Sequence, residues 1–415
     1  MNQHLMNRAL PIWIVLLLVM APMAQMAMAQ TPFAVTNLGQ RIDPEDARMV
    51  GRGGWGMAVS DSLNPGFKNL AGLTALQQVA IKFTGYGDHV GSKDDQAERT
   101  TNRTISPDIR VGLPIIKGKL AFSTGMEVYR SNQFKTFAEN IWYAWDDTLT
   151  GNEQFLREGT MWQVPLGLSW EVRPGIAVGA ALGMVNGTIR ESVVQEFITP
   201  NNGASSNPAP LYVANGRVQE DEFQGTAWTW SVLVSPHDRL KVGASWRAAH
   251  DLDVDRKITL AGVAERYSST WTYRLPDEYR LGFDLRLASR WRLGADYQMM
   301  NFDTGHGRDD WQDALTDEYT FNAGLERSQG FVRRGGWSNL PLRLGMQHRQ
   351  WGYEVGGQPV KETFYSVGTG FPFRQNLGQV DVALSYGKIG SLADNGVESD
   401  VWRFTMSITG LEKWW

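Results

Sequence analysis

The chain has 415 residues, no cysteine and a formal net charge of −4 at pH 7. Without cysteine, disulfide bonds cannot hold the fold together. The charges are scattered and mildly acidic, which gives no basis for nucleic-acid binding. Beyond the N-terminus, no segment approaches the roughly 18 consecutive apolar residues that a membrane-spanning helix needs.

The N-terminus has the pattern of an export signal. Arg8 supplies a short basic region, Ala9 to Met20 is apolar but too short to cross a bilayer, and Ala27-Met28-Ala29 fits the cleavage rule of small residues around one variable position. We therefore expect residues 1–29 to be removed, so that the mature, exported chain begins at Gln30.

From Val79 to the C-terminus, apolar and polar residues alternate in short segments. Two segments place on one face Leu120, Phe122, Thr124, Met126 and Val128, and Tyr279, Leu281, Phe283, Leu285 and Leu287. Glycine and charged residues occupy the opposite faces. A period of two indicates β-strands. Apolar residues on one face of many strands, with charge on the other, indicate a closed barrel with lipid outside and water inside.

The alternation predicts fourteen strands, an even number, as in single-chain bacterial barrels. Their predicted ranges are 79–88, 105–116, 119–130, 161–173, 176–190, 222–235, 240–249, 271–288, 291–302, 318–328, 341–350, 363–372, 378–388 and 399–410. Most links after even strands are short turns, whereas links after odd strands are long and polar, which predicts periplasmic turns and outer loops. Many of the seventeen Trp lie near predicted strand ends, where aromatic girdles meet the membrane interfaces.

The stretch before the strands, residues 30–78, combines many glycines with apolar residues such as Val50, Trp55, Leu63 and Leu73. It is too apolar to be a free tail and has no clear strand, so we interpret it as a plug inside the lumen. The predicted organisation is a signal peptide (1–29), a plug (30–78) and a transmembrane barrel (79–415). The fold class is therefore an all-β, 14-stranded antiparallel transmembrane β-barrel with an N-terminal plug.

Within this stretch, Asp46-Ala47-Arg48, Gly51-Arg52-Gly53-Gly54-Trp55-Gly56 and Asn69-Leu70-Ala71-Gly72-Leu73 resemble the N-terminal hatch signature of FadL-type outer-membrane transporters of hydrophobic compounds. Leu70 stands where that family usually has proline. The C-terminal part, with Gly368 to Phe373 and the ending Lys413-Trp414-Trp415, is also similar to FadL-like proteins. The resemblance implies a bacterial outer-membrane barrel with a plug and a lateral opening. It further implies passive transport of hydrophobic molecules such as long-chain fatty acids or hydrocarbons.

Two alternatives remain open at this point. Similar Asp-Ala-Arg and glycine motifs occur in PorV-like barrels that assist protein secretion, and a general porin would share the strand pattern.

Gly51 to Gly56 also matches the glycine spacing of dinucleotide-binding loops, but that loop requires a flanking strand and helix, which are absent from the pattern. No Gly-x-Ser-x-Gly elbow is present. We expect no enzymatic activity, no cofactor and no metal.

The candidate site residues fall into three groups. The segment 131–160 is aromatic for an outer loop, and Phe137, Ile141 and Trp145 follow helical spacing, which suggests a capture site. The predicted lumen has more inward-facing arginine and lysine residues than are needed for ion pairs within the protein. An arginine left over from these pairs can bind the carboxylate of a ligand through two hydrogen bonds. The candidates are Phe137, Trp142, Trp145, Arg247, Arg286 and Arg343 for ligand binding, and Asn69, Leu70, Ala71 and Gly125 for gating by the plug.

The sequence thus predicts a barrel that binds hydrophobic small molecules or fatty acids. Its other partners are expected to be outer-membrane lipid and lipopolysaccharide, with no nucleic acid. We expect the barrel to act as a monomer.

Overall fold

The structure is a computed structural model that describes residues 31–35, 38–43, 45–66, 68–144, 147–198, 215–263, 266–302, 315–330, 339–373 and 378–412. The predicted signal peptide, Trp145 and the ending Lys413-Trp414-Trp415 lie outside the described residues. None of the helices in the described ranges is long and apolar enough to span a bilayer.

Fourteen antiparallel strands in the described part of the chain pair with their neighbours in chain order. They are β1 (Val79–Lys93), β2 (Glu98–Ile116), β3 (Leu120–Ala144), β4 (Asp147–Arg173), β5 (Ile176–Ile198), β6 (Asn215–His237), β7 (Leu240–Arg247 and His250–Leu260), β8 (Arg266–Leu275 and Glu278–Arg286), β9 (Trp291–Met300), β10 (Glu318–Arg327), β11 (Leu342–Val355), β12 (Gln358–Phe373), β13 (Gly378–Ser391) and β14 (Val397–Glu412). The sheet closes because β14 pairs with β1 from Glu412 opposite Val79 to Glu398 opposite Lys93. The predicted fourteen-stranded antiparallel barrel is confirmed.

The two faces of the wall differ in polarity, as the alternation predicts. In β8, Tyr279 and Leu281 are exposed on the outer surface, whereas Glu278 and Asp284 are buried inside. Similar exposed apolar residues on other strands include Leu166, Leu168, Trp230, Leu344, Tyr365, Val367, Leu384 and Phe404. An apolar outer face with a polar interior is the pattern of a barrel that faces lipid.

The predicted loop 131–160 is instead the upper part of two strands, and the helical spacing assigned to it is wrong. β3 continues to Ala144 and pairs with β4 as far as Ala144 opposite Asp147. Residues four apart share one face of a helix, but they share one face of a strand as well, so the spacing of Phe137 and Ile141 did not distinguish the two.

The wall has unequal height around the barrel. β3 and β4 have 25 and 27 residues, whereas β9 and β10 have 10 each. At roughly 3.4 Å per residue, the tall side extends on the order of 50 Å further along the strand direction. We call the end of the barrel opposite the short turns the outer end.

The N-terminal segment, residues 31–78, packs against the inner faces of the strands. It contains 3-10 helices at Pro32–Val35 and Leu70–Ala75, a two-residue strand Gln40–Arg41 paired with β3, and a helix α1 (Ala47–Gly51). Asp46 caps α1, because its side-chain oxygen accepts a hydrogen bond of 2.7 Å from the backbone nitrogen of Met49. Capping by Asp46 accounts for the acidic residue that precedes the helix in the sequence.

Close approach between this segment and the wall depends on inward-facing glycines from nine strands. We call them the glycine belt: Gly112, Gly167, Gly179, Gly243, Gly282, Gly294, Gly324, Gly345 and Gly368. A Cβ added at any of them would come within 3 Å of an atom of the N-terminal segment. Glycine at these positions therefore permits direct backbone contact between segment and wall.

Candidate ligand-binding site

Buried ion pairs join the N-terminal segment to the barrel wall. Glu326 on β10, 1 % exposed, receives Arg48 and Arg52 from the segment at 3.0 Å each and Arg343 from β11 at 3.3 Å. Arg343 also binds Asp381 on β13 at 2.7 Å. Removal of one partner from such a buried cluster leaves charge without compensation, which costs about 3–5 kcal/mol.

Further pairs repeat this arrangement around the lumen. Arg41 in the segment binds Glu278 on β8 at 2.7 Å and Glu318 on β10 at 3.0 Å. Lys82 on β1 binds Asp46 beside helix α1. The segment is thus fixed to strands on different sides of the barrel, so its displacement would break several buried charge pairs together.

An inner cavity lies between this segment and the wall of β3 to β8. Its lining includes Arg247, whose guanidinium donates to Gln163 and lies 5.0 Å from the centroid of the Tyr129 ring. Glu127 and Glu278 also line it. Five charged residues and Gln163 lie among its fourteen lining residues, so the cavity can hold water or a polar group.

A second cavity, which we call the outer pocket, lies on the tall side of the barrel and has a volume of about 680 Å³. Its lining residues come from the N-terminal segment and from β4 to β8: Leu38, Arg157, Glu191, Arg217, Gln219, Asp221, Phe223, Arg256, Trp271 and Tyr273. The outer pocket combines an apolar, aromatic part with a charged rim, the composition of a site for amphipathic molecules.

The apolar part of the outer pocket belongs to a larger buried cluster. Phe223, Tyr273 and Leu38 pack in one apolar cluster with Met161, and Trp271 is packed against it. The rings of Trp271 and Tyr273 lie 6.1 Å apart between centroids. An apolar cluster on the inner face of a barrel departs from the polar lining expected of a water-filled channel.

The rim of the outer pocket carries three arginines and two carboxylates. Arg256 binds Asp221 through two hydrogen bonds of 2.7 and 2.8 Å, and Arg157 binds Glu191 at 3.0 Å. Arg217 is exposed and donates to the side-chain oxygen of Gln219. A rim with more cations than carboxylates favours a ligand that carries a negative or strongly polar head group.

The candidate ligand-binding residues lie in different places. Phe137 is on the outer face of β3, 57 % exposed, with the Lys135 ammonium 4.7 Å from its ring centroid. Trp142 lies on β3, and Trp145 lies outside the described residues. Arg286 ends β8 beside the short turn, eight residues below Glu278. The structure therefore does not bring Phe137 together with Arg247 or Arg343.

The outer pocket was missed because its residues lie in segments assigned to loops or to strand ends. One signal was available in the sequence. Leu252 and Val254 alternate with Asp251, Asp253 and Asp255, which is the period of a strand with one buried face. Such a strand beyond the predicted end of β7 would have indicated a wall extending outward.

The turn formed by Asn69, Leu70 and Ala71 fixes the segment near the inner cavity. The Asn69 side chain accepts a hydrogen bond of 3.0 Å from the Ala71 nitrogen and donates to the Met57 carbonyl. Ala71 also donates to the Ser231 hydroxyl on β6 at 3.1 Å. Leu70 lines the inner cavity together with Arg41 and Ile42, so this turn forms part of the cavity wall.

Gly125 lies beside a split in the wall. In the described residues, β2 and β3 pair from Ile116 opposite Leu120 up to Ile109 opposite Met126, and no further. Above that point, β3 continues alongside β4 on one side, and Gln40 and Arg41 pair with it at Ser131 and Arg130. The bulge in β3 falls between Val128 and Arg130, not at Gly125. The gap between β2 and β3 thus begins one residue above Gly125.

The sequence matches the BamG family over residues 6–415. The chain belongs to the BamG family. No curated protein matches it in sequence.

Solved structures with the same barrel fold give this BamG-family chain its structural context. A Pseudomonas aeruginosa FadL homologue superposes with a TM-score of 0.60 at 13 % identity, covering 89 % of this chain and 99 % of its own. The Ralstonia pickettii toluene transporter TbuX gives 0.59 at 12 % identity, with 88 % and 98 % covered. The Pseudomonas putida toluene transporter TodX gives 0.55 at 12 % identity, with 90 % and 99 % covered. The predicted FadL-type fold is confirmed.

Proposed function

We propose that this chain is a bacterial outer-membrane protein that passively transports hydrophobic or amphipathic molecules, with the outer pocket as their first binding site. The observation that carries the proposal is the aromatic cluster of Phe223, Trp271 and Tyr273 on the inner face at the outer end of the barrel. Phe223 and Tyr273 are buried within the cluster, whereas Trp271 is only partly buried against it, so an apolar ligand in the pocket would cover the remaining apolar surface of Trp271.

The fold is consistent with this proposal. The barrels that superpose on it include a FadL homologue and two proteins described as toluene transporters. The apolar outer surface supports placement in a membrane, and diffusion suffices as the driving force for cargo that partitions into lipid. The part of the cargo that meets the rim is polar, because Arg157, Arg217 and Arg256 surround that side of the pocket.

Replacing Trp271 with alanine tests the binding site. We expect binding of radiolabelled oleate or toluene to the purified barrel in nanodiscs to weaken about tenfold, equivalent to ~1.4 kcal/mol, because an aromatic contact is lost from the pocket. The control is Trp170→Ala, which removes the same side chain from the outer, lipid-facing surface. Absence of saturable binding to the unmodified chain, or equal loss in the control, contradicts the proposal.

We further propose that cargo leaves the lumen through the gap between β2 and β3 that begins above Gly125, passing above Gln40 and Arg41, which pair with β3 in the lower part of this gap. This route avoids moving the N-terminal segment, which is tied to the wall by buried ion pairs. The segment 31–78 and its turn at Asn69, Leu70 and Ala71 then act as a fixed plug below the exit.

Bridging the gap tests this route. Arg99 on β2 donates a hydrogen bond of 2.9 Å to the carbonyl of Lys135 on β3, so these positions face each other across it. In the cysteine-free chain, Arg99→Cys with Lys135→Cys, joined by a cleavable bis-maleimide, should abolish uptake of labelled oleate into vesicles. Cleavage of the linker should restore it. Uptake that is unchanged in the cross-linked barrel excludes this exit.

A further inference from the structure

An apolar groove lies on the outer surface of the wall where β6, β7, β8 and β9 meet. Its volume is about 940 Å³, and we call it the aromatic groove. Its outward-facing lining consists of Trp230, Val232, Ala244, Trp246, Tyr279, Leu281, Tyr297 and Met299. The small side chain of Ala244, paired with Val232 on one side and Leu281 on the other, leaves the space between the surrounding rings.

The outer surface of the wall changes from apolar to acidic directly above the aromatic groove. Both β7 and β8 are interrupted there, and Trp246 donates from its indole nitrogen to Asp277 at 2.7 Å in this interruption. Beyond it, the outward positions of β7 are Asp251, Asp253 and Asp255, all exposed. The apolar surface thus gives way to an acidic one within a few residues, about 10–15 Å along the strands.

Neighbouring strands strengthen this acidic surface. Asp255 lies directly opposite Glu222 on β6, a pairing of like charges that disfavours the sheet. Glu222 binds Lys257 at 2.7 Å and Asp251 binds Arg274 at 3.0 Å. Across the described ranges, no basic side chain forms a salt bridge with Asp253 or Asp255. We call Glu222, Asp251, Asp253 and Asp255 the acidic row.

We propose that the aromatic groove and the acidic row together dock a second membrane protein. The partner presents an apolar surface at the depth of the groove and lysines or arginines immediately above that surface. Charge complementarity selects this occupant, because unpaired carboxylates beside an apolar face attract a basic rim and repel an acidic one.

Two other occupants fit less well. Lipid chains alone fill the groove but leave the acidic row unexplained, and the phosphates of outer-leaflet lipids are repelled by it. A second copy of this chain, meeting face to face across a two-fold axis, would place one acidic row against the other.

The face is large enough for a specific contact. Four strands at about 4.8 Å spacing are on the order of 20 Å wide, and the groove with the row extends roughly 30 Å. The resulting area of about 600 Å² approaches the roughly 800 Å² per partner of a standard protein interface. This docking is independent of the proposed transport, since none of its residues lines the outer pocket.

Photocross-linking in cells tests the docking face. p-Benzoylphenylalanine in place of Tyr279 should give an adduct with one other protein, whereas the same residue in place of Tyr365, an exposed aromatic on β12, should not. Peptide mapping of the adduct should locate lysine or arginine next to the cross-linked apolar segment. The variant Asp253→Lys with Asp255→Lys should reduce the adduct at least fivefold and leave oleate or toluene binding unchanged.

A matched control separates local from general charge effects. Asp95→Lys with Glu98→Lys makes the same charge change at exposed positions between β1 and β2 and at the start of β2, and should leave the adduct unchanged. Three results overturn the proposal: an adduct with lipid only, an adduct of the mass of two copies of this chain, or a protein adduct insensitive to the Asp253 and Asp255 substitutions.

Discussion

Replacing Glu326 with glutamine should lower the free energy of unfolding by about 3–5 kcal/mol. The carboxylate of Glu326 is the common partner of Arg48, Arg52 and Arg343, all within 3.3 Å. Glutamine keeps the shape but removes the charge, so three guanidinium groups remain buried around a neutral amide. The urea midpoint of the barrel reconstituted in vesicles measures the loss. Trypsin cleavage after Arg48 or Arg52 should accelerate as the segment loosens.

The same substitution at Glu412 is the control, because this residue is exposed at the end of β14. It should change stability by less than about 0.5 kcal/mol. A second variant tests the charge argument itself: adding Arg52→Gln to Glu326→Gln should recover part of the loss, since one uncompensated cation is removed. Equal stability of Glu326→Gln and Glu412→Gln would show that the cluster contributes no net stabilisation.

The barrel itself was predictable from the sequence because its signal repeats in every strand. Alternation in segments such as Tyr279 to Leu285, interrupted by short turns, determines which residues face lipid without any knowledge of pairing. All fourteen strands were located for this reason. Where each strand ends was harder to predict, because beyond the membrane the wall no longer needs an apolar outer face and the alternation fades.

The arrangement inside the barrel could not be read from alternation. Arg343 was a candidate for binding a ligand carboxylate, but the register of β10 and β11 places it directly opposite Glu326. Register depends on the length and geometry of the connection between two strands, and the link after β10 is long. The charges of the N-terminal segment complete the cluster. Whether an inward arginine such as Arg343 is paired within the protein or available to a ligand therefore depends on residues almost 300 positions away in the sequence.

The outer pocket was unpredictable for a related reason. Its residues Leu38, Arg157, Phe223 and Trp271 come from the N-terminal segment and three separate strands that meet only because the wall continues outward on one side. Each is unremarkable in its local sequence, and their proximity depends on pairing such as Phe223 opposite Val254 and Val254 opposite Trp271.

Replacing Gly345 with valine should destabilise the protein by at least about 3 kcal/mol, at the upper end of overpacking effects. An added Cβ at Gly345 would overlap the backbone of Arg52 and Gly53, and Gly53 is held at a φ of 75° that few other residues adopt. Because the added Cβ would clash with backbone atoms of the segment, rotation of a neighbouring side chain cannot relieve the clash. The N-terminal segment must therefore move off the wall of β10 and β11, which separates Arg52 from Glu326.

Two measurements distinguish displacement of the segment from failure of the whole barrel to fold. Heat-modifiable migration on gels reports the closed barrel, and trypsin cleavage after Arg52 reports the segment. We expect Gly345→Val to give a closed barrel with a cleavable segment, because strand pairing in β11 does not require glycine. Gly91→Val, at a position with no atom within 4 Å of the added Cβ, should resist cleavage like the unmodified chain. Resistance of Gly345→Val as well would mean that segment and wall are not held in direct backbone contact.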